Sequence, residues 1–420
     1  MEIFRVRGGN TLKGEVKLSG AKNAALSILF GSLLSDDKVI LRNVPTKMED
    51  IKVAIKVIRH LGARVNIKGS VVTIDPSGIS KTRAHPVYSS KIRPSLLLLS
   101  VLLARFGKVD IPTPGGCEIG VRKFDLHIDG LKALGADIIV DSEGIRGTLH
   151  GRFRGQKVEF YLPSSTGTVN LIMAGSLAKG RTIIRNANAK PETQDFIEFM
   201  KSMGARIKYS NRYVEIDGVR KLRGTDYTIM KGNDEAITYM IAAGMTGGEV
   251  KIADYTLSSL KFEVQCLRDA GIEIFEWDGS VYVSGKMGLR PFDLFTAPYP
   301  GVNSDLQPLF AALALMAPGE SSITDQVFTE RFGYVSELKQ FGADIENYGN
   351  SAIVRGGKPL KSACVTATDL RGGTAMLLAS LVARGETIIR NVYQIDRGYE
   401  RIEKKLGRLG ASIERVRDSG

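Results

Sequence analysis

Short amphipathic helices alternate with short strands along the whole chain. In the segment DIKVAIKVIRHL, Asp50 to Leu61, apolar side chains recur at helical spacing, and a glycine separates it from the strand-like ARVNI, Ala63 to Ile67. Glycine suits the left-handed residue just past a helix end. The pattern therefore predicts a helix, a tight turn and a strand.

This turn recurs six times in degenerate forms of the tripeptide LGA. Its central glycines are separated by 73, 69, 67, 71 and 68 residues, close to one sixth of the chain. The spacing predicts six copies of one structural unit, each larger than ordinary solenoid repeats of about 20–50 residues. The six glycines are Gly62, Gly135, Gly204, Gly271, Gly342 and Gly410.

A second pattern lies between these turns: an apolar helix, then a glycine or aspartate, then a strand. It is clearest in AGSLAKGRTIIRN, Ala174 to Asn186, and in ASLVARGETIIRN, Ala379 to Asn391. Helices as apolar as Ser95 to Ala104 lack a polar face for solvent, so we expect them inside, with sheets outside. The chain is therefore predicted to be an α/β protein with three repeats in each of two domains.

The composition is that of a soluble globular protein. The chain has 420 residues, 43% hydrophobic and 25% charged, which is too long for one ordinary core. Its longest apolar run is too short to cross a bilayer, and we expect no leader peptide. Three widely spaced cysteines indicate free thiols in a reducing compartment, so we expect a cytoplasmic protein. Four histidines, none paired at ligand spacing, make a structural metal improbable.

The net charge of +13 favours anionic partners. Nucleic acid, an anionic membrane surface and a phosphorylated small molecule all fit that charge. Nucleic acid is disfavoured because the chain has no RNP, helix-turn-helix or zinc-finger signature and a single tryptophan for base stacking.

Polar or glycine-rich segments precede most of the apolar helices. Helix N-termini present unpaired N–H groups and a partial positive charge, so several of them converging on a cleft would make an anion site. The six segments are SGAKNA (Ser19 to Ala24), SKIRP (Ser90 to Pro94), PSSTGT (Pro163 to Thr168), GNDE (Gly232 to Glu235), PGVNSD (Pro300 to Asp305) and TDLRGG (Thr368 to Gly373).

Several cations in or near these segments suit an anionic substrate. Lys22 and Asn23 precede an apolar helix, where a cation is unfavourable unless an anion is bound, although a solvated lysine is the alternative. Arginine binds carboxylate and phosphate bidentately, while a surface salt bridge is the better explanation for any single arginine taken alone. The candidate arginines are Arg93, Arg122, Arg331, Arg371 and Arg397.

Three carboxylates are candidates for proton transfer: Asp305, Asp369 and Glu330. Arg371 follows Asp369 by two residues and Arg331 follows Glu330, and a nearby cation keeps a carboxylate ionised until its substrate arrives. Asp369 suits the role of a helix N-cap equally well.

The cysteines differ in their surroundings. Cys117 lies in the glycine-rich loop PTPGGCEIGVR, Pro112 to Arg122, where Arg122 and Lys123 offer the charge that activates a thiol. A buried inert cysteine is the alternative. Cys266 and Cys364 have apolar neighbours and are predicted to be core residues.

Seven motifs together resemble one enzyme family. The chain is similar to the UDP-N-acetylglucosamine 1-carboxyvinyltransferases from Phe4 to Arg415, whereas the related 5-enolpyruvylshikimate-3-phosphate synthases share the six-unit architecture without the GGC loop. The motifs are SGAKNAAL (Ser19 to Leu26), PGGCEIGVR (Pro114 to Arg122), DLHI (Asp125 to Ile128), TAPYP (Thr296 to Pro300), SDLQ (Ser304 to Gln307), TDLR (Thr368 to Arg371) and IDRGYERI (Ile395 to Ile402).

The resemblance implies two domains, each an inside-out α/β barrel of three repeats. One would comprise residues 22–229 with the Cys117 loop, and the other residues 1–21 plus 230–420. The active site is expected in the cleft between them.

The resemblance also implies the reaction. The enolpyruvyl group of phosphoenolpyruvate would pass to the 3-hydroxyl of UDP-N-acetylglucosamine with release of phosphate, the first committed step of peptidoglycan synthesis. Both substrates are anionic small molecules, in keeping with the positive charge. No cofactor, metal, nucleic acid or membrane is expected, and the oligomeric state is left open.

Site roles follow from the same resemblance. Asp305 would be the base for the sugar hydroxyl, and Cys117 the general acid, which can also form an adduct with phosphoenolpyruvate. The cations are assigned to the phosphate (Lys22, Arg122, Arg397) and to the carboxylate and closing interface (Arg331, Arg371). The nucleotide sugar would be lined by Arg93, Arg122, Lys123, Phe124, Asp125, Leu126, Ser164, Ser165, Thr166, Gly167 and Val327, with Asn23 and Asp369 contacting substrate in the same centre.

Three departures from the family fall on the nucleotide side and at the second crossover between domains. Pro163 stands where a lysine is common, GNDE from Gly232 to Glu235 where DRIE is common, and Arg122-Lys123 where Arg-Pro is usual. The resemblance therefore implies the enolpyruvyl-transfer reaction more firmly than it implies binding of a uridine diphosphate. Two rival hypotheses are a paralogue acting on another sugar nucleotide or on shikimate 3-phosphate, and a basic binding protein that kept the fold without catalysis.

Overall fold

A computed structural model of the chain describes residues 2–113 and 124–418, which form two compact units. The continuous unit comprises residues 20–113 and 124–230, and the split unit comprises residues 2–19 and 231–418. Each unit has its own hydrophobic core. In the described residues, helices are too short or too polar to cross a membrane.

The strands are short, between three and seven residues. They are β1 (Glu2–Arg7), β2 (Lys13–Lys17), β3 (Val39–Arg42), β4 (Arg64–Lys68), β5 (Val71–Asp75), β6 (Lys108–Ile111), β7 (Asp137–Asp141), β8 (Gly144–Thr148), β9 (Lys157–Glu159), β10 (Arg181–Arg185), β11 (Arg206–Ser210), β12 (Tyr213–Asp217), β13 (Asp226–Thr228), β14 (Glu249–Ala253), β15 (Glu273–Trp277), β16 (Ser280–Ser284), β17 (Asp293–Thr296), β18 (Gly319–Asp325), β19 (Ile345–Tyr348), β20 (Ser351–Gly356), β21 (Cys364–Thr366), β22 (Glu386–Arg390) and β23 (Ser412–Arg417).

The α-helices alternate with these strands. They are α1 (Lys22–Gly31), α2 (Glu49–Leu61), α3 (Pro86–Ser89), α4 (Leu98–Phe106), α5 (Asp125–Ala133), α6 (Ser165–Ser176), α7 (Pro191–Ser202), α8 (Asn233–Met245), α9 (Lys261–Asp269), α10 (Gln307–Ala314), α11 (Tyr334–Gln340), α12 (Leu370–Val382), α13 (Tyr393–Asp396) and α14 (Ile402–Arg408). Single turns of 3-10 helix occur at Ser32–Leu34, Pro76–Gly78, Arg93–Leu97 and Ser304–Leu306.

The continuous unit has three central helices, α1, α4 and α6, which pack against one another. Most of their side chains are buried, as the apolar pattern predicts. Three sheets lie around them, with strand orders β13-β3-β5-β4, β6-β8-β7 and β11-β12-β10-β9.

The split unit repeats this plan with the central helices α8, α10 and α12. Its sheets have the orders β15-β16-β14-β2, β17-β18-β20-β19 and β21-β22-β1-β23. The N-terminal strands β1 and β2 therefore complete sheets whose other strands come from the second half of the chain.

The sheets follow a common rule. In five of the six described sheets a parallel edge strand joins an antiparallel set, as β9 joins β10 and β17 joins β18, whereas the sheet β6-β8-β7 is wholly antiparallel. Burial alternates along strands such as β10, so one face packs on helices and the other faces solvent. The mixed α/β fold of six repeats is confirmed, and each unit is enclosed by separate open sheets rather than by one closed barrel of strands.

The six predicted glycine turns all adopt positive φ. The angles are +115° at Gly62, +99° at Gly135, +97° at Gly204, +96° at Gly271, +79° at Gly342 and +103° at Gly410. Each glycine follows one of the amphipathic helices α2, α5, α7, α9, α11 and α14. Only glycine adopts this conformation without steric cost, which explains the recurrence.

One cysteine prediction is wrong. Cys364 lies on the edge strand β21 with its side chain exposed, because in this strand only the central Val365 faces the core. Cys266, on α9, is half-buried and packs against the core of the split unit, as predicted. Burial, aided by the charges of Asp269 and Glu263, raises the pKa of the Cys266 thiol to about 11.

Candidate functional site

The six polar segments identified in the sequence all lie at the starts of the central helices. In the split unit three of these starts meet: Asp234 in the first turn of α8, Asp305 just before α10, and Arg371 in the first turn of α12. Arg371 is in direct contact with both carboxylates, so the repeat brings together charged residues that are far apart in sequence.

Asp305 is held by two buried arginines. Its Oδ1 accepts a hydrogen bond from Arg331 Nη1 at 2.7 Å, and its Oδ2 accepts one from Arg371 Nη2 at 3.2 Å. The arginine side chains are 4% and 3% exposed, whereas that of Asp305 is 24% exposed. The carboxylate therefore lies in front of the two cations, on the side open to solvent.

Arg371 has further partners behind Asp305. Its Nη2 also donates to Asp234 Oδ2, and its Nη1 donates to the hydroxyl of Tyr399 at 3.2 Å. Burial lowers the pKa of Arg371, but the charge of Asp234, then of Tyr399 and Asp305, outweighs it, so this pKa lies well above its ordinary value. Arg371 is a permanent cation.

Two donors in this cluster lack hydrogen-bond partners among the described residues. They are Nε of Arg331 and Nε of Arg371, both buried. A buried unsatisfied donor on a charged group is costly, and an anion accepting from it removes that cost. The cluster therefore has spare capacity for a carboxylate or phosphate.

Asp325 fixes the surroundings of Asp305, and sequence reasoning missed it. It is fully buried at the end of β18 and accepts hydrogen bonds from the Ser304 hydroxyl at 2.5 Å and from the Thr296 hydroxyl at 2.8 Å. The backbone N–H of Val327 also donates to it, at 2.9 Å. The predicted substrate position Val327 is thus tied to the turn that carries Asp305.

Two of the three proton-transfer candidates, Asp369 and Glu330, differ from Asp305 in their contacts or in their exposure. Asp369 caps α12, since its Oδ1 accepts from the N–H groups of Arg371 at 2.9 Å and Gly372 at 3.3 Å. This geometry supports the N-cap interpretation. Glu330 is exposed, and its neighbour Arg331 pairs with Asp305 instead. Glu330 and Arg331 are adjacent in sequence, but the Glu330 side chain faces solvent whereas Arg331 is buried.

Arg397 is buried directly after α13, and its Nη1 donates to Gln394 at 3.2 Å. Helix α13 packs on α12, the helix of Arg371. In the continuous unit, Lys22 is the first residue of α1, with Nζ 3.3 Å from Asp50 Oδ2. Asn23 beside it is exposed. Cys117, Arg122 and Lys123 lie outside the described residues.

Several of the predicted nucleotide-sugar residues that the structure describes lie at or near the start of α6. Ser164 caps this helix by accepting from the N–H of Gly167 at 3.1 Å. Thr166, in the first turn beside Ser165, contacts His127 on α5. Other members of the set are Arg93 at the start of a 3-10 turn, the half-buried Phe124 and Leu126, and Asp125, which accepts from the Tyr161 hydroxyl at 2.7 Å.

His127 has a fixed tautomer. The amide nitrogen of Asn170 donates to its Nδ1 at 2.7 Å, so Nε2 carries the proton and donates to Thr166 Oγ1 at 3.0 Å. The Asn170 orientation is set in turn by Ser100, whose hydroxyl donates to its side-chain oxygen at 2.6 Å. Burial, with the charge of Arg93, lowers the pKa of His127 to about 3. The Thr166 hydroxyl proton is therefore free to point away from His127.

Comparison with known proteins gives the class first. A model of the EPSP synthase (3-phosphoshikimate 1-carboxyvinyltransferase) family matches residues 6–406. The enolpyruvyl transferase NikO from Streptomyces tendae superposes with a TM-score of 0.89 at 24% identity, covering 99% of both chains. EPSP synthase from Acinetobacter baumannii superposes with a TM-score of 0.79 at 17% identity. The chain belongs to this family of enolpyruvyl transferases, and these structures share its fold.

Curated relatives narrow the assignment. A protein of Geotalea daltonii is 43% identical over the full length of both chains, and one of Coxiella burnetii is 43% identical over 99% of this chain and 96% of its own. Both are named UDP-N-acetylglucosamine 1-carboxyvinyltransferase. The resemblance carried by the sequence motifs is confirmed.

Proposed function

We propose that the protein transfers the enolpyruvyl group of phosphoenolpyruvate to the 3-hydroxyl of UDP-N-acetylglucosamine and releases phosphate. The observation that carries the proposal is the carboxylate of Asp305 held between two buried arginines, whose Nε groups have no hydrogen-bond partner in the part of the chain that the structure describes. Full-length relatives bearing the name of this activity support the choice of acceptor. The proposal makes the protein a cytoplasmic enzyme of peptidoglycan synthesis.

The reaction needs an acid, a base and a cationic site for the phosphate. Protonation of the enolpyruvate at C3 makes C2 electrophilic, and the sugar hydroxyl then adds to C2 as Asp305 accepts its proton. The tetrahedral phosphoketal loses a C3 proton and phosphate, which restores the double bond. The proposal assigns the acid to Cys117.

Cations stabilise the charge that develops as phosphate leaves. We assign Lys22, Arg122 and Arg397 to the phosphate, and Arg331 and Arg371 to the carboxylate of phosphoenolpyruvate. The spare Nε donors of Arg331 and Arg371 support the second assignment, since an arginine presents Nε and one Nη together to a carboxylate.

The nucleotide sugar is assigned to residues that sequence resemblance selects. The start of α6 offers a capped helix N-terminus, which suits a diphosphate. The set comprises Arg93, Arg122, Lys123, Phe124, Asp125, Leu126, Ser164, Ser165, Thr166, Gly167 and Val327. Asn23 is assigned to a substrate contact beside Lys22, and Asp369 to the same centre. For Asp369 the supported contribution is to fix the start of α12, next to Arg371.

A phosphate-release assay tests the proposal. We expect release only when phosphoenolpyruvate and UDP-N-acetylglucosamine are both present, and none with shikimate 3-phosphate as acceptor. Asp305→Asn should lower kcat by about 100-fold or more, because it removes the base while keeping the shape. The matched control is Asp293→Asn, at an exposed strand position. If phosphoenolpyruvate releases phosphate with shikimate 3-phosphate but not with UDP-N-acetylglucosamine, the protein has the activity of the paralogue. If the substrates bind but no phosphate is released, the protein is a non-catalytic binding protein.

A further inference from the structure

We propose that Asp234 is a positioning residue for Asp305 and Arg371. This inference rests on the proposed function, because it concerns the group assigned as the base. Asp234 belongs to the GNDE segment at the start of α8, which departs from the family pattern. It lies in the first helical turn, where a negative charge is favourable.

The first connection runs through Arg371. Its Nη2 donates to Asp234 Oδ2 and also to Asp305 Oδ2, the latter at 3.2 Å. The charge of Asp234 contributes more than that of Asp305 to raising the pKa of Arg371, so Asp234 is the stronger of the two partners of this guanidinium.

The second connection runs through Asn303. Its side-chain nitrogen donates to Asp234 Oδ1 at 3.3 Å, and its side-chain oxygen accepts from the backbone N–H of Asp305 at 3.3 Å. Asp234 is thus linked both to the side chain that faces Asp305 and to the turn that carries it.

The charges explain why this arrangement matters. Arg331 and Arg371 supply two positive charges, and Asp305 and Asp234 supply two negative ones. Without the charge of Asp234, Asp305 would be the remaining carboxylate that pairs with Arg371 among the described residues, and it would still be paired with Arg331. A carboxylate engaged fully by two cations is a weaker proton acceptor, so loss of Asp234 should impair the proton-transfer step.

The neighbouring residue, Glu235, stabilises the fold, whereas Asp234 contacts the residues around Asp305. Glu235 is buried, accepts from Lys405 Nζ at 2.6 Å and from the backbone N–H of Ser19 at 2.7 Å, and so anchors the N-terminal segment. Asp234 is directed instead at Arg371 and Asn303. The two acidic residues at the start of α8 have different tasks.

The test compares Asp234→Asn with Asp234→Glu and with the control Asp278→Asn, an exposed residue at φ +47°, a conformation that asparagine also adopts. Asp234→Asn should lower kcat by about 10- to 100-fold, the effect of a displaced catalytic group, with KM for both substrates changed less than about threefold. Asp234→Glu, which keeps the charge, should recover most of kcat. The control should match the parent protein.

A crystal structure of Asp234→Asn gives a readout independent of substrate. We expect the Arg371 guanidinium to close onto Asp305, with Nη2 nearer than 3.2 Å. If the parent protein is active, either an unchanged position of the Arg371 guanidinium or an unchanged kcat in Asp234→Asn would overturn the inference. A parent protein that releases no phosphate would overturn the proposed function instead, and the crystal structure would still decide whether Asp234 positions Arg371. If Asp234→Asn does not fold, a low kcat in Asp234→Glu would contradict the role of the charge.

Discussion

His127 is a buried side chain whose charge state is set by its surroundings. It is 2% exposed, with both ring nitrogens hydrogen-bonded to neutral groups. Burial and the charge of Arg93 outweigh the opposing charge of Asp125, so the folded protein keeps the ring neutral. The residue was part of the DLHI motif but was not singled out, because its partners Thr166 and Asn170 are 39 and 43 residues away.

Protonation of His127 should couple pH to the stability of the continuous unit. The pKa is about 3 in the folded state and about 6.5 in the unfolded chain, so below pH 6.5 only the unfolded state binds the proton. Stability is therefore lost as pH falls from about 7, by up to about 1.4 kcal/mol per pH unit. We expect His127→Gln, which can still donate to Thr166, to remove this contribution.

Urea unfolding of both proteins at pH 7 and pH 5 measures the effect. The parent protein should lose more free energy of unfolding than His127→Gln over this interval, whatever the absolute stability of the variant. Other groups, such as Asp195, whose pKa burial raises to about 6, titrate in both proteins and cancel in the difference. Equal losses would show that His127 gains its proton in the folded state.

Residue types in the site were predictable, but their pairing was not. Asp305, Arg331 and Arg371 were selected from the motifs, yet the partners of Arg371 lie 66 and 137 residues away. Such contacts depend on how the central helices pack, which no local pattern encodes. Proximity in sequence did not identify Asp305 as the partner of Arg331. Asp234 was not singled out, although its segment was noted both as polar and as a departure from the family.

At the scale of elements, helices and turns were predicted more securely than strand faces. Helical periodicity and the glycine after each amphipathic helix are local signals, and all six glycines have positive φ. The three-residue strand β21 is too short for its alternation to show which side faces the core. The exposure of Cys364 could therefore not be derived from its apolar neighbours.

The six equivalent glycines should differ in their tolerance of a side chain. A Cβ at Gly62 would lie 2.3 Å from the carbonyl oxygen of Gly78, whereas a Cβ at Gly204 would meet nothing within 4 Å. Gly204→Ala should cost about 1–2 kcal/mol, the price of a left-handed alanine. Gly62→Ala should cost more, since backbone must also move. Urea unfolding of the two variants measures this, and equal losses would mean that the carbonyl contact is relieved without cost.

At the scale of the molecule, each core is assembled from a different stretch of chain. The core of the continuous unit is built from residues between Ala21 and Ile229. The core of the split unit needs the N-terminus, because β1 pairs with β22 on one side and β23 on the other, and β2 pairs with β14. The 70-residue period predicted six units but not which strand completes which sheet. The strands β1 and β22 pair although they lie near opposite ends of the sequence, and a local pattern does not show such a pairing.

This arrangement predicts how fragments of the chain should fold. Residues 20–230 alone should unfold cooperatively, because their core is self-contained. Residues 231–420 alone should not, because they lack the fully buried Phe4 and Val6 of the central strand β1. Loss of one large buried side chain costs about 3–5 kcal/mol, a large share of the roughly 5–15 kcal/mol that holds a domain together.

A rearranged chain provides the matched control. Glu2 pairs with Arg417 in the antiparallel register of β1 and β23, so the Cα atoms of these two residues lie about 5 Å apart. A polypeptide that runs from residue 231 to 420, through a short glycine-serine linker, and then from residue 1 to 19 should therefore restore all three sheets. Circular dichroism during urea unfolding distinguishes the three chains. If the fragment 231–420 unfolds cooperatively by itself, β1 and β2 are dispensable. If cooperative unfolding is seen in the rearranged chain but not in this fragment, the split unit is an independent domain that requires β1 and β2.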